Sequence, residues 1–259
     1  MQNKKIYYSS LVIQNLKDYI LHAANLSQWE AHNEFDNIGF SINRTRESLF
    51  NFVSCEDRCT EPSVQKTLNY LKKRNTEETW VINSHAKIKV LLEKNKIQYV
   101  STPKKVLLNM KSYLLSADVV PNLKLNTVNS NNLLEQLDLC ISRIFYHNIG
   151  TVNTFFRGLP NHNDKNLGLR FFLVTLNNEV VGTCSFYIKD NIAGFYNDGV
   201  LPIHKNHRIG TQMIIERIKI IQQLKCKYVV VHCMKPSINF YKRLGFQILV
   251  NLYLYTSST

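Results

Sequence analysis

The chain has 259 residues, 44% of them apolar and 20% charged, an ordinary globular balance that excludes wholesale disorder and leaves room for one large domain or two small ones. Lys and Arg number 32 against 19 Asp and Glu, net +13, and the second half is the more basic per residue; this favours anionic partners such as nucleic acid, acidic protein surfaces or a phosphorylated cofactor. No uncharged apolar run reaches the length of about 18 residues that a membrane span needs, and the opening Met1–Tyr8 stretch leads into no signal-peptide pattern.

In chain order, Leu16, Tyr19, Ile20, Ala23 and Leu26 recur at three- and four-residue steps and predict a helix over 11–34. Strands follow over 38–42 and 48–53. Pro62-Ser63 opens a helix with Val64, Thr67, Leu68 and Leu71 on its buried stripe. Trp80 to Ile82 reads as a strand, Ser84 as the cap of a helix carrying Ile88, Leu91 and Leu92, and Ile97 to Val100 as a strand. Pro103 opens an apolar segment running to Leu115. A seam at Val120-Pro121-Asn122 divides the chain into 1–121 and 122–259.

Beyond the seam, Leu123 to Val128 reads as a strand, and Ser130 starts a helix with Leu133, Leu134, Leu137, Ile141 and Ile144 in register. Strands 171–176 and 180–188 flank Asn177-Asn178, a pair suited to the positive φ of a tight hairpin. A strand over 192–200, a loop opened by Pro202, a helix over 209–224 and an unalternating strand over 228–233 come next. Ser237 caps a short helix that stops at Gly245, and 246–255 closes as a strand. The fold class is α/β (α+β).

The six cysteines form no Cys-x-x-Cys pair, which predicts reduced thiols and a cytoplasmic setting. A zinc site on Cys55, Cys59 and a distant histidine such as His85 lacks four ligands at recognisable spacing, so no metal is expected. Cys184, Cys226 and Cys233 read as core thiols.

Three segments carry the chemistry. The first is Glu179-Val180-Val181-Gly182-Thr183, opening a strand. The second is Val200-Leu201-Pro202 followed by Lys205-Asn206-His207-Arg208-Ile209-Gly210-Thr211. The third is Phe240-Tyr241-Lys242-Arg243-Leu244-Gly245-Phe246. A loop running into a helix start presents unpaired amides and the positive end of the helix dipole, which cradle a diphosphate without a metal. Gly210 allows close approach of the backbone, and Lys205, His207 and Arg208 add positive charge. Asp198-Gly199, late in a strand, marks a bulge or a close backbone approach.

In these segments, at this spacing, residues 122–255 resemble the GNAT N-acetyltransferases. The resemblance implies a GNAT fold, a mixed sheet flanked by helices, and acetyl-CoA as acyl donor. It places Val200, Leu201, Lys205, Asn206, His207, Arg208, Ile209, Gly210, Thr211 and Ser237 against the cofactor, and it implies that strands 192–200 and 228–233 splay to admit the pantetheine arm. Tyr241 is the expected general acid for the departing thiolate. Asp198 or an ordered water chain is the expected base. Two positions depart from the family pattern: Arg208 replaces its first glycine, and Met234, seven residues before Tyr241, replaces a frequent asparagine.

The first half has no glycine between Gly39 and Gly150 and lacks both signature segments. Phe50 to Val53, then Thr79 to Ile82, a helix, and Met110 to Leu115 resemble the degenerate amino-terminal lobe of tandem-GNAT proteins, implying a lobe that binds no CoA and shapes the acceptor groove. The acceptor expected is a primary amine of a small molecule or protein, with no membrane and no nucleic acid as partner. The competing readings are a catalytically silent acyl-CoA-binding protein and a basic nucleic-acid-binding module. Dispersed cations without interleaved aromatics count against the second.

Overall fold

The computed structural model describes residues 2–35, 37–43, 48, 51–56, 58–83, 86–113, 120–146, 148–159 and 168–257. Phe50, Ser84, His85, Leu114 and Leu115, on which expectations above rest, lie outside them. The helices are α1 (Gln2–Leu26), α2 (Glu61–Lys73), α3 (Ala86–Lys94), α4 (Asn131–Phe145), α5 (Thr151–Phe155), α6 (Ile209–Gln223) and α7 (Ile238–Arg243). The first strands are β1 (Glu30–Phe35), β2 (Ile38–Ile42), β3 (Phe52–Cys55), β4 (Thr79–Ile82), β5 (Gln98–Ser101) and β6 (Lys104–Asn109). The remainder are β7 (Leu123–Thr127), β8 (Leu169–Leu176), β9 (Glu179–Lys189), β10 (Ile192–Val200), β11 (Tyr228–Cys233), β12 (Gln247–Asn251) and β13 (Tyr253–Thr256). No helix among the described residues is long and apolar enough to cross a membrane.

Local chemistry accounts for several boundaries. Thr60 and Ser63 form a reciprocal capping box at the start of α2, and Val64, Thr67, Leu68 and Leu71 are its buried stripe. Ser130 caps α4 by accepting from the Leu133 amide at 3.3 Å. Asn177 and Asn178 have φ of 51° and 68°, the primed turn that joins β8 to β9.

The strands form two mixed sheets, in the orders β1-β2-β3-β4-β13-β5 and β12-β6-β11-β10-β9-β8-β7. Their plans repeat. β3 and β4 are parallel and joined through α2; β10 and β11 are parallel and joined through α6. α3 leads from β4 to the end strand β5, as α7 leads from β11 to the end strand β12. In each sheet the strand between those two comes from the other half of the chain. β6 lies between β11 and β12, antiparallel to both, and β13 lies between β4 and β5, antiparallel to both. The seam at 121 thus falls between β6 and β7, and the sheets trade one strand each across it.

A shared core joins the lobes. Ile13, Leu16, Tyr19, Ile20 and Ala23 of α1 pack with Val81 of the first sheet, Leu134, Leu137 and Ile141 of α4, and Phe171 and Leu173 of the second sheet. Burial at this density is the main favourable contribution to the fold, at about 25 cal/mol per Å².

Four expectations are corrected. The first helix is not 11–34: it starts at Gln2, because Tyr8 and Val12 pack on Leu107, Val230 and Leu249 of the second sheet. It ends at Leu26, where Gln28 turns to φ 58° and Trp29 N–H bonds the Ala24 carbonyl at 2.8 Å, and 30–35 is a strand. The strand expected over 48–53 is confined to Phe52–Cys55 among the described residues. The closing strand is two, β12 and β13, which break at Leu252 and enter different sheets. Cys55 and Cys59 are joined as a disulfide rather than reduced, their Cα atoms 6.0 Å apart across the turn from β3 to α2. That bond occupies both sulfurs of the zinc site considered above. The other four cysteines are free and buried; burial pushes the Cys140 thiol up to about 11 and Cys184 to about 12, so they are inert core groups.

Candidate active site

β10 and β11 pair in parallel only from Ile192↔Tyr228 to Phe195↔Val231, although both strands continue. β10 departs because a bulge interrupts its pairing with β9 between Tyr196 and Gly199, with Asn197 at φ 56°. Asn197 is held there by its side-chain amide, which donates to Ser185 Oγ at 3.0 Å and to the Tyr19 hydroxyl at 3.3 Å. Gly199 lets α4 press on the bulged strand: a Cβ there would stand 2.5 Å from Ile144 Cγ2. The expected splay of the two strands is therefore present, and its cause is the bulge.

At the mouth of the splay the chain turns through Pro202–His204 into α6. Lys205, Asn206, His207 and Arg208 are exposed, with Asn206 and Arg208 at φ 68° and 58°. The first backbone bond within α6 runs from Gln212 N–H to Arg208 C=O, so the amides of Ile209, Gly210 and Thr211 precede it. No side chain caps this helix start and no acidic residue stands in its first turn. A Cβ at Gly210 would meet only ordinary contacts, 3.7 Å from Phe240 Cζ. The glycine thus leaves room at the loop surface that the packed protein does not itself require. Leu201 differs from the rest of the loop, since its amide is already spent on the Val181 carbonyl at 2.9 Å. Ile209 is a buried anchor of the second core.

The corresponding turn of the first lobe, from β3 to α2, is closed. Thr60 and Ser63 satisfy its amides, Pro62 removes one donor, and Glu61 places a negative charge in the first turn.

Tyr241 is buried on α7, its ring edge-on to Phe240 and Phe246. Its hydroxyl donates to Asp198 Oδ2 at 3.0 Å. Burial, together with the Asp198 charge, holds the phenol proton well above the ordinary tyrosine range. Asp198 Oδ1 pairs with Arg217 Nη1 at 2.7 Å. Arg217 is fully buried on α6, donates to the Ser185 and Met213 carbonyls, and lies 4.0 Å from the centre of the Phe195 ring. Sequence reasoning brought Tyr241 and Asp198 forward and missed Arg217. The signal was a lone cation in an apolar stripe, between Met213 and Ile221 at four-residue steps.

Between the lobes, below the splay, lies a cavity of about 420 Å³. Asp198, Tyr241, Met234 and Ser237 line it from the second lobe, and Phe52, Val81, Leu252 and Leu254 from the first sheet and the segment leading into β13. His232 on β11 also lines it. Burial and the nearby Lys105 push this histidine down to about 3, so it is neutral. A histidine held neutral by the fold adds stability that is complete above its unfolded value of 6.5 and is lost as pH falls through about 3. The unfolding free energy from urea titrations is accordingly expected to fall as pH falls across that window, by up to about 1.4 kcal/mol per unit of pH. His232→Gln is expected to flatten the slope; an unchanged slope would remove His232 as its source.

Residues 142–246 match the family model described as the acetyltransferase (GNAT) family. Among solved structures, the chain is similar to a GCN5-related N-acetyltransferase from Kribbella flavida, with TM-score 0.67, 10% identity and 96% of each chain covered. It is similar also to a GCN5-related N-acetyltransferase from Sphaerobacter thermophilus, with TM-score 0.62, 13% identity, and 85% of this chain and 76% of that one covered. A tandem GNAT protein from the clavulanic acid biosynthesis pathway gives TM-score 0.62 at 10% identity over 95% of this chain and 94% of that one. At such identities the shared property is the fold, and it extends over both lobes. No curated protein matches the chain.

Proposed function

From the match of residues 142–246 to the acetyltransferase (GNAT) family model and the fold shared with GCN5-related N-acetyltransferases, we propose that the chain is an N-acetyltransferase moving an acetyl group from acetyl-CoA to the primary amine of a small molecule or protein. The observation that carries the reading is the hydrogen bond from Tyr241 to Asp198, set where β10 and β11 part and next to the uncapped start of α6. Residues 122–259 supply the catalytic machinery, and 1–121 supply a lobe that walls the acceptor side.

The loop fits a diphosphate. Lys205, Asn206, His207 and Arg208 are exposed around it, the amides of Ile209, Gly210 and Thr211 point out of the first helical turn, and Gly210 leaves the space. Val200, Leu201 and Ser237 border the path from there to Tyr241. Acetyl-CoA supplies the acyl group as a thioester. As the amine nitrogen bonds the acyl carbon and the carbon–sulfur bond breaks, Tyr241 gives its proton to the sulfur. Asp198 takes the proton that the nitrogen sheds, directly or through water. The Tyr241–Asp198 contact then lets the carboxyl return a proton to the phenolate, so the pair ends the cycle as it began. Arg217 pairs with Asp198 Oδ1 at 2.7 Å and so holds the carboxyl in position beside Tyr241.

The cofactor half of the reading is tested at Gly210. Gly210→Glu sets bulk and a negative charge against the diphosphate, and calorimetric titration with CoA is expected to show binding lost while the circular dichroism spectrum is kept. Unchanged affinity would place the cofactor elsewhere. The wild-type chain is expected to take up one equivalent; two would mean that the first lobe also holds a site. The chemical half is tested by thiol release across an amine panel.

A further inference from the structure

We infer that the amine acceptor has an apolar body, aryl or branched alkyl, with no carboxylate and few hydroxyls. The inference rests on the acetyltransferase reading above and names the substrate class for the same site.

The inter-lobe cavity holds about 420 Å³, within the range of roughly 300–1,000 Å³ usual for small-molecule sites. Among the described residues, Asp198 is the one carboxylate that lines it, and neither Lys nor Arg does. Phe52, Val81, Phe145, Phe156, Leu252 and Leu254 are among the apolar side chains of its wall. Several of the polar side chains at the cavity are already committed to protein partners, whereas His232 Nε2 is buried with no hydrogen-bond partner among the described residues. The Tyr196 hydroxyl donates to Asn15 Oδ1 at 2.8 Å, and the Asn197 amide is spent on Tyr19 and Ser185. The Tyr19 and Tyr196 rings are stacked at 4.1 Å with their planes 9° apart. His232 is neutral. An acceptor's amine thus meets one carboxylate, Asp198, which is paired on its far oxygen with Arg217 and stands beside the general acid, and the rest of the molecule meets mostly hydrocarbon. A carboxylate on the acceptor would be stripped of water with no Lys or Arg among the described lining residues to receive it, and hydroxyls beyond one that meets His232 Nε2 would lose their hydration against hydrocarbon. An aminosugar or an amino acid is poorly served by such walls; an arylalkylamine loses nothing.

The test compares 2-phenylethylamine, phenylalanine and glucosamine as acceptors for the full chain, with thiol release as readout. kcat/KM is expected to be at least about 10²-fold higher for 2-phenylethylamine than for either of the others. A ratio near one, or a preference for glucosamine or phenylalanine, overturns the inference and leaves the acetyltransferase reading standing. Calorimetric binding of 2-phenylethylamine to the CoA-saturated chain is measured alongside and decides the matter if no amine releases thiol. In that outcome binding of 2-phenylethylamine in preference to phenylalanine supports the apolar site although the reaction assignment fails, and absence of binding overturns the site as well. Phe145→Arg separates wall chemistry from folding. Phe145 is 39% exposed, so the change is tolerated sterically, and it gives a carboxylate a partner. The preference over phenylalanine is expected to shrink about tenfold or more, and an unaltered preference would remove this wall as its source.

Discussion

Arg217→Leu is expected to lower the unfolding free energy by about 3–5 kcal/mol, the usual loss when one member of a buried ion pair is removed. The substitution leaves Asp198 beside Tyr241 with its partner gone, and it strips the Ser185 carbonyl of its donor. The pair itself is no bargain for the fold: Arg217 Nη2 has no hydrogen-bond partner among the described residues and the guanidinium has no access to water. A double variant, Arg217→Leu with Asp198→Leu, is therefore expected to regain most of the lost stability, since two apolar groups replace two desolvated charges. Urea unfolding of the wild type, the single and the double variant checks this. If the double variant is no more stable than the single one, the pair is held by its surroundings rather than by mutual charge compensation.

Tyr241→Phe is expected to lower kcat by about 10²–10⁴-fold with little change in the KM for acetyl-CoA, because the ring packing against Phe240 and Phe246 survives and only the proton donor is lost. The pH profile gives a second readout. The phenol is held protonated well above 10, so the wild-type rate should show no alkaline fall through the ordinary tyrosine range. Steady-state kinetics on both proteins decides it, and wild-type turnover in the phenylalanine variant removes Tyr241 from the chemistry.

Much of the second lobe is legible from local sequence. Asn177-Asn178 can adopt positive φ in tandem, so the β8–β9 hairpin declares itself. The strand 228–233 is legible at its observed bounds from the apolar run Tyr228 to Val231, and the strand 192–200 from the turn-forming residues that bracket it, Asp190-Asn191 and Pro202. Ser130 and Pro62 announce helix starts for reasons that involve only their immediate neighbours. What escaped is what depends on distant partners. Residues 2–10 have weak apolar periodicity, and their helix forms because Tyr8 meets Tyr228 and Leu249 from the far end of the chain. The run Val106-Leu107-Leu108 would suit the interior of either sheet, and nothing local says that it completes the second. The same holds for Tyr253 to Thr256. In the site, the loop and Tyr241 stand in contiguous motifs, whereas the Arg217–Asp198 contact joins a helix to a bulge and was not visible as a spacing. The cavity wall at Phe52 and Leu254 is likewise a product of how the lobes meet.

The traded strands also set an order of events during synthesis. Residues of β4 leave the ribosome long before β13, whose Thr256 side chain bonds the Glu78 carbonyl 178 positions earlier. Until then the first lobe has an open strand edge beside Trp80-Val81-Ile82, the sort of edge that recruits other chains. The second sheet has the opposite timing: β6 is made before any of its neighbours and must wait, unpaired, for β11. Neither half can therefore mature as an independent unit while the chain is still emerging, and final closure is a single late event involving both. Pairings of this sequence separation also slow folding. A nascent chain of this design depends on whatever shields β4 and β6 in the interval, and stalling translation shortly before residue 253 would leave the amino-terminal lobe exposed even though every residue that precedes its missing strand has been made.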